Sequence, residues 1–331
     1  MDAPRIETLP PPPGVIRSLK AGFDTIAMHL TAILLPLALD LLLWLGPRLS
    51  IKEYYQSILP QFERDWRSLG FSAQQVQTTI EAYKAQVSGL DSLNLLALLR
   101  TFPIGITSLL SGPSPALTPF GQPQIMQVGP LGNILLLFLL ITLMGWIGGA
   151  LYFRWVASLV APEDQPIQGK ALWHSLALSV LAAIVIVVIG LPVFFIIYVL
   201  TAISPRLGQV ALLVVGFVCM WLVVPLFFAG HGIFLRSQNV ASSILSSLQL
   251  TRFSLPNSSL FVLTVLFISI GLNYLWRIPE PGSWMLLIGI VGHAFITTAL
   301  LAASFIYYRD MTAWLKTVIE RLQAGATSTK A

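Results

Sequence analysis

Hydrophobic and polar positions are arranged on two scales in this chain. On the long scale, six apolar runs cover residues 26–45, 134–153, 176–200, 210–229, 260–276 and 285–308, each nearly free of charge. A bilayer core about 30 Å thick needs about 20 helical residues at about 1.5 Å each. Each run therefore predicts one membrane-spanning helix. One long polar insertion, residues 50–130, separates the first run from the second.

On the short scale, the insertion has helical periodicity. Ile51, Tyr54, Tyr55, Ile58, Leu59, Phe62, Trp66 and Leu69 recur at steps of three and four, which marks one apolar helix face. Gly70 ends that helix, and Ser72 with Gln75 forms a capping box for the next. Val76, Ile80, Tyr83 and Val87 supply the second stripe, stopped by Gly89. Two stripes that each need a partner predict a helical hairpin over 51–88. Residues 92–110 are more apolar but interrupted by Pro103 and Gly105. They are expected to cover the hairpin or lie in the membrane interface, and not to form a seventh span. Residues 112–130 read as a Pro/Gly-rich linker.

Three segments, 15–23, 167–176 and 240–253, each precede a span and mix apolar with polar residues. In the third, Val240, Ile244, Leu248 and Thr251 line one face, with Ser243, Ser246, Ser247 and Gln249 on the others. Such helices belong at the membrane surface, apolar side down. The chain then reads either as three units, each an interfacial helix and a transmembrane hairpin, or as plain hairpins repeated because hairpins cross membranes.

Composition agrees with the pattern. The chain is 56% hydrophobic and 10% charged, against about 25% charged for a soluble domain. The net charge of +5 acts here as a topology signal. Lys and Arg collect beside one set of span ends (Arg17, Lys20, Arg154, Lys170, Arg236, Arg309), while the opposite short loops carry only Arg206 and Arg277. The positive-inside rule places both termini in the cytoplasm and residues 50–130 outside, in a prokaryotic plasma membrane. Basic residues are not interleaved with aromatics, so nucleic acid is not an expected partner. The expected partners are the lipid bilayer and other membrane proteins. The first apolar run is longer than a signal-peptide core and reads as a retained anchor. Pro10–Pro13 cannot enter a helix, so residues 1–13 read as a disordered tail, either a solubilising leader or a docking motif. The expected organisation is thus this tail, 14–49 with an interfacial helix and the first span, the insertion 50–130, five further spans over 131–315, and a cytoplasmic tail 316–331. The single cysteine, Cys219, excludes an internal disulfide and reads as a small buried residue of the fourth span.

Ionisable residues within spans are costly and become functional candidates. His29 and Asp40 are eleven residues apart, which on one straight helix places them on the same face about 16 Å apart. They read either as a polar track or as His29 capping inward while Asp40 meets Arg48 or the insertion. His293 lies in Gly289-Ile290-Val291-Gly292-His293, where small residues let another helix approach. Thr297, one turn on, is a candidate partner for its imidazole. Pro36, Pro192 and Pro225 each free a backbone carbonyl and are candidate helix breaks. Gly145-x-x-x-Gly149 is a small-residue contact surface, read as intramolecular packing. Glu163-Asp164 reads as a solvated turn. No zinc-protease, nucleophile-elbow, phosphate-loop or paired-cysteine motif occurs, so no catalytic residue, metal site or cofactor is expected.

The amphipathic helix over 240–252, the hairpin after it, and the closing Phe305-Ile306-Tyr307-Tyr308-Arg309-Asp310-Met311 resemble the bacterial membrane domain that precedes some glycerophosphodiester phosphodiesterases. The resemblance covers residues 14–46 and 131–315. The order Arg309-Asp310 departs from the family's tyrosine-x-aspartate-leucine-arginine form. The resemblance implies a multi-pass membrane domain without site residues, and no catalytic domain accompanies it. The sequence as a whole predicts an all-α, six-span membrane protein with an extracytoplasmic helical insertion. Its expected role is that of a non-enzymatic module organising a complex or the bilayer. A small-solute or lipid transporter is the alternative.

Overall fold

The computed structural model describes residues 10–113, 117–161 and 169–328. Most of the expected 1–13 tail and the Glu163-Asp164 turn lie outside these. Among the described residues the protein is all-α apart from one pair of short strands. Five of their helical stretches are long and apolar enough to cross a membrane, and a sixth exists if a sharply bent pair counts as one span.

The bent pair is the first correction. Helix α1, Val15–Met28, and α2, Leu34–Leu45, meet at 96° across a 3-10 turn at Leu30–Ile33. Two helices at right angles cannot both lie along the bilayer normal, so residues 26–45 are not one straight span. The break falls one turn before Pro36. Proline has no N–H for the carbonyl four residues back, and its ring crowds that carbonyl. The tighter turn accommodates both.

Beyond α2, strand β1 (Arg48–Ser50) leads into the hairpin of α3, Lys52–Ser68, and α4, Ala73–Ser88. The expected local signals are present. Gly70 has a φ of +86°, which suits glycine. Gln75 N–H donates to Ser72 Oγ, and Ser72 N–H donates to Gln75 Oε1. Tyr83 holds the two helices together, its hydroxyl on the Tyr55 carbonyl at 3.0 Å and its ring stacked on Phe62. Burial among the tyrosines raises the Tyr83 phenol above its usual pKa. The linker contains strand β2, Ile125–Gln127, which pairs in parallel with β1, Arg48 opposite Ile125. The entry and exit of the insertion are therefore tied together.

Helix α5, Leu131–Val160, starts the main bundle. Helix α6, Lys170–Val185, passes through a π turn at Ile186–Gly190 into α7, Leu191–Ile203, as one continuous span. The wider π turn accommodates Pro192, so this proline does not part the span. Helix α8, Pro205–Leu226, ends just after Pro225, and α9, Ala229–Arg236, continues the same span beyond a two-residue break. Cys219 is exposed on α8, facing the surroundings and not the core. Then come α10, Val240–Phe253, α11, Leu255–Trp276, and α12, Leu286–Ser328. Of the three expected surface segments, α1 and α10 are set off from the span that follows, whereas the described part of 167–176 runs straight into α6. The expected tail after residue 315 continues α12.

Helix α12 is the centre of the bundle. Helix α1 runs antiparallel to it: Trp314 Nε1 donates to the Pro10 carbonyl at 2.7 Å, and Phe23 meets Phe295 edge-on. Between these contacts Gly22 lies directly on α12. A Cβ there would stand 2.5 Å from Ala303 N and 2.6 Å from Ala299 O. The segment expected as a surface helix is therefore part of the core. At the other end of α12, Trp44 Nε1 donates to the Pro281 carbonyl at 2.8 Å, and its ring meets Trp284.

Helix α10 divides its expected apolar face: Thr251 is buried and Val240 and Ile244 pack on the core, while Leu248 is exposed. Ser243 and Ser247 are buried, while Leu245 is 58% exposed. The serines face the α8–α9 break, where Ser247 donates to the Pro225 carbonyl at 2.6 Å and Ser243 to that of Ala229. Polar side chains thus serve the backbone where the helix is interrupted, and the exposed leucines face the surroundings. Ser243→Ala with Ser247→Ala is expected to lower stability by about 2 kcal/mol, about 1 kcal/mol per hydrogen bond. A denaturant titration in mild detergent measures this. Ser242→Ala, on the exposed side of the same helix, is expected to lose only its local contacts around Asn239.

Candidate functional site

The centre of the bundle is filled by the chain's own insertion. After a 3-10 turn at Leu95–Leu99 the backbone leaves the surface and descends between α2, α5 and α12 without helical structure. Ile104, Ser108 and Leu109 are at most 3% exposed. Residues 92–110, expected over the hairpin or in the interface, instead dip into the bundle.

Glycines in α5 admit the dip. A Cβ on Gly149 would stand 2.5 Å from Gly105 Cα and 2.8 Å from the Ile104 carbonyl, and one on Gly145 would stand 2.7 Å from the Leu99 carbonyl. The small-residue surface Gly145-x-x-x-Gly149 does pack within the chain. Its partner is an irregular segment and not another helix. Opposite, Ile104 reaches Gly230 on α9.

Non-helical backbone at membrane depth persists only where protein satisfies its polar groups. Asp40 supplies most of that here. Its Oδ1 accepts from Ser108 Oγ at 2.6 Å and from Leu110 N at 3.1 Å, and its Oδ2 accepts from Leu109 N at 3.0 Å. Arg277 donates to the Leu109 carbonyl. Thr101 Oγ1 donates to the Ile104 carbonyl at 2.8 Å. Lower down, Thr297 donates to the His293 carbonyl, so the hydrogen bond between Thr107 and Thr297 at 2.9 Å has Thr107 as donor. Beside it, Tyr152 on α5 donates to Thr298 at 2.9 Å. Asn94 anchors the start of the dip, its Oδ1 accepting from Leu49 N and Leu96 N.

The sequence candidates separate accordingly. Asp40 is buried and meets the insertion, one of its two expected fates. His29 is exposed at the α1–α2 break, with Nδ1 3.0 Å from the Thr25 carbonyl. The 96° bend removes the shared face on which a track from His29 to Asp40 depends. His293 is buried, but Thr297 bonds to its backbone carbonyl, not its imidazole, and its Nε2 has no hydrogen-bond partner among the described residues. Pro36 and Pro225 adjoin true breaks, and Pro192 adjoins the π turn.

Sequence reasoning missed His231. The fourth apolar run ends at Ala229, whereas the span continues to Arg236 and carries His231 inside it. Its Nε2 lies 2.7 Å from Ser304 Oγ on α12, and its ring packs on Phe305. The available signal was Gly230-His231-Gly232, an imidazole between two residues without side chains just after a proline-broken helix. Nearby, Phe261 and Tyr307 stack at 4.1 Å, and Arg309 donates to the Val160 carbonyl at 2.8 Å, tying the end of α5 to α12. The Arg309-Asp310 pair is thus a structural clasp.

Among the described residues no three His, Cys, Asp or Glu side chains gather as a metal site. A cavity of about 270 Å³ lies in the α3–α4 hairpin, lined by Lys52, Tyr83 and Val87 among others. Another of about 190 Å³ lies between α2, the dipping segment and α5. Neither is lined by His293 or Pro192. The arrangement around Asp40 joins three backbone segments, and its hydrogen bonds are made within the protein. No family profile, curated protein or solved structure matches this chain.

Proposed function

We propose that this protein is a non-enzymatic membrane module that presents the α3–α4 hairpin on the extracytoplasmic face of a prokaryotic plasma membrane. Its termini lie in the cytoplasm, where Lys and Arg collect. The hairpin serves as a holding surface for other membrane proteins. One observation carries this reading: the insertion sends its own segment into the bundle, where Asp40 and Thr297 hold it. A domain anchored that way has a fixed position relative to the membrane, which suits a scaffold. The same segment occupies the place where a carrier would need a polar path.

The hairpin tip offers an apolar contact, with Leu69 73% and Phe71 41% exposed on either side of Gly70. The test is photo-crosslinking in cells from probes at these two positions. The expected result is one discrete adduct to another membrane protein, lost when the unprobed tip residue is changed to Asp. Diffuse or absent adducts, together with solute flux in proteoliposomes of the purified chain, would overturn it.

The alternative, a small-solute or lipid permease, draws on the interrupted helices at residues 29–33, 186–190 and 227–228. Interrupted spans line substrate sites in several carrier folds. Flux in the same proteoliposomes is the result that favours it.

A further inference from the structure

We propose that the groove between α2, the dipping segment and α5 holds one acyl chain of a glycerophospholipid from the leaflet at the hairpin end, with the lipid phosphate on Arg100. The groove has a volume of about 190 Å³, and Leu35, Leu39, Leu42, Leu99, Ile106 and Met144 form most of its lining, with no charged side chain among them. An apolar cavity of roughly 150 Å³ stays dry and accepts hydrocarbon. This groove is open at the side: Leu42 is 40% and Met144 63% exposed. Around a membrane-embedded bundle the surrounding medium is acyl chain, so hydrocarbon is the occupant at hand.

Small residues keep the groove open. Ala38 forms part of its wall, as does Gly145, against which the Leu99 backbone rests. Ala38 itself is exposed, so a larger side chain there enters the groove from its open side.

Charge identifies the head of the ligand. Arg100 directly follows the groove residue Leu99 and is exposed. Its Nη1 donates to Ser111 Oγ at 2.8 Å, which fixes a guanidinium that carries five N–H donors in all. Arg277, also exposed, holds the Leu109 carbonyl two residues before Ser111. A Cβ on Gly112, next to Ser111, would stand 3.7 Å from Arg277 Nη2, so the two guanidinium groups share one region of the bundle. The Asp40 carboxylate is buried under the Ser108–Leu110 donors. An exposed arginine matches a phosphodiester in geometry and charge.

This inference does not rest on the scaffold reading, since the lipid can be held with or without a protein partner. The test is native mass spectrometry of the delipidated full chain in neutral detergent. It is titrated with phosphatidylglycerol, with diacylglycerol of the same chains, and with glycerol phosphate. The expected result is a single phosphatidylglycerol adduct, with diacylglycerol about tenfold weaker, a difference that one charge-assisted contact can supply. Glycerol phosphate is expected not to bind at the same concentration. Ala38→Trp and Met144→Trp, which fill the groove from different walls, are each expected to weaken the phospholipid adduct about tenfold. Arg100→Gln is expected to weaken phosphatidylglycerol to the level of diacylglycerol and to leave diacylglycerol unchanged. Melting temperatures identify variants that have not folded, and the two filling variants back each other up. Equal binding of phosphatidylglycerol and diacylglycerol would overturn the phosphate assignment. Unchanged binding in both folded filling variants would overturn the groove. Glycerol phosphate binding as tightly as the lipid would identify a free-phosphate site instead.

Discussion

Asp40→Ala is expected to lower the stability of the solubilised protein by about 3–5 kcal/mol. Among the described residues the carboxylate accepts from two buried amides, Leu109 N and Leu110 N, and from the Ser108 hydroxyl. Each buried donor left without a partner costs about 1–3 kcal/mol, and here there is no water at hand to replace it. Asp40→Asn keeps one acceptor oxygen but adds an N–H₂ facing other donors, so an intermediate loss is expected. A titration of unfolding with sodium dodecyl sulfate in mixed micelles measures the difference. Proteolysis within residues 95–111 should accelerate in parallel if the loss arises from release of the dip. Stability of Asp40→Ala within error of the parent would show that the carboxylate does not hold this segment.

The second large effect is expected at Gly149. In Gly149→Val the new Cβ meets Gly105 Cα and the Ile104 carbonyl, both backbone, so no side chain can rotate out of the way. The segment would have to withdraw from α5 by a few tenths of an ångström to more than an ångström. Overpacking of a rigid contact costs about 3 kcal/mol or more where nothing can yield. Neighbouring glycines provide the scale. Gly148 faces only the Ile106 Cδ1 end at 3.1 Å, and Gly216 faces nothing within 4 Å. Substitution by valine should therefore be severe at 149, mild at 148 and nearly neutral at 216. The same unfolding titration ranks them, and a flat ranking would contradict the close approach.

The parts of this fold legible in the sequence are those encoded locally. Apolar runs predicted the spans because burial in lipid needs only length and composition. The α3–α4 hairpin was readable because Gly70, Ser72 and Gln75 act within a few residues of one another. Parts that depend on distant partners were not readable. The dip at 95–111 looked like a broken helix because the acceptor that stabilises it, Asp40, lies about 70 residues earlier. The burial of Ser243 and Ser247 in α10 was not readable because amphipathicity rules assume that polar side chains seek water, whereas these serines serve carbonyls at a proline-related break. The burial of α1 depends on α12, about 280 residues later, whereas the break before Pro36 carries its own local signal. Within the candidate site, Asp40 and His293 were found because charge and imidazole stand out in apolar runs. Thr107, Tyr152 and Thr298 were passed over because hydroxyls are ordinary there.

The pairing of α1 with α12 also sets the order of assembly. Gly22 is made about 280 residues before its contacts, Ala299 and Ala303. At synthesis rates of about 5–20 residues per second, α1 waits on the order of tens of seconds for its partner. Until then Ser18 and Gly22 have no helix to lie against, and α12, around which the other spans pack, does not yet exist. The bundle can therefore close only after α12 has entered the membrane. A ribosome that stops short of it should leave a chain that membrane proteases clear rather than a partly functional product.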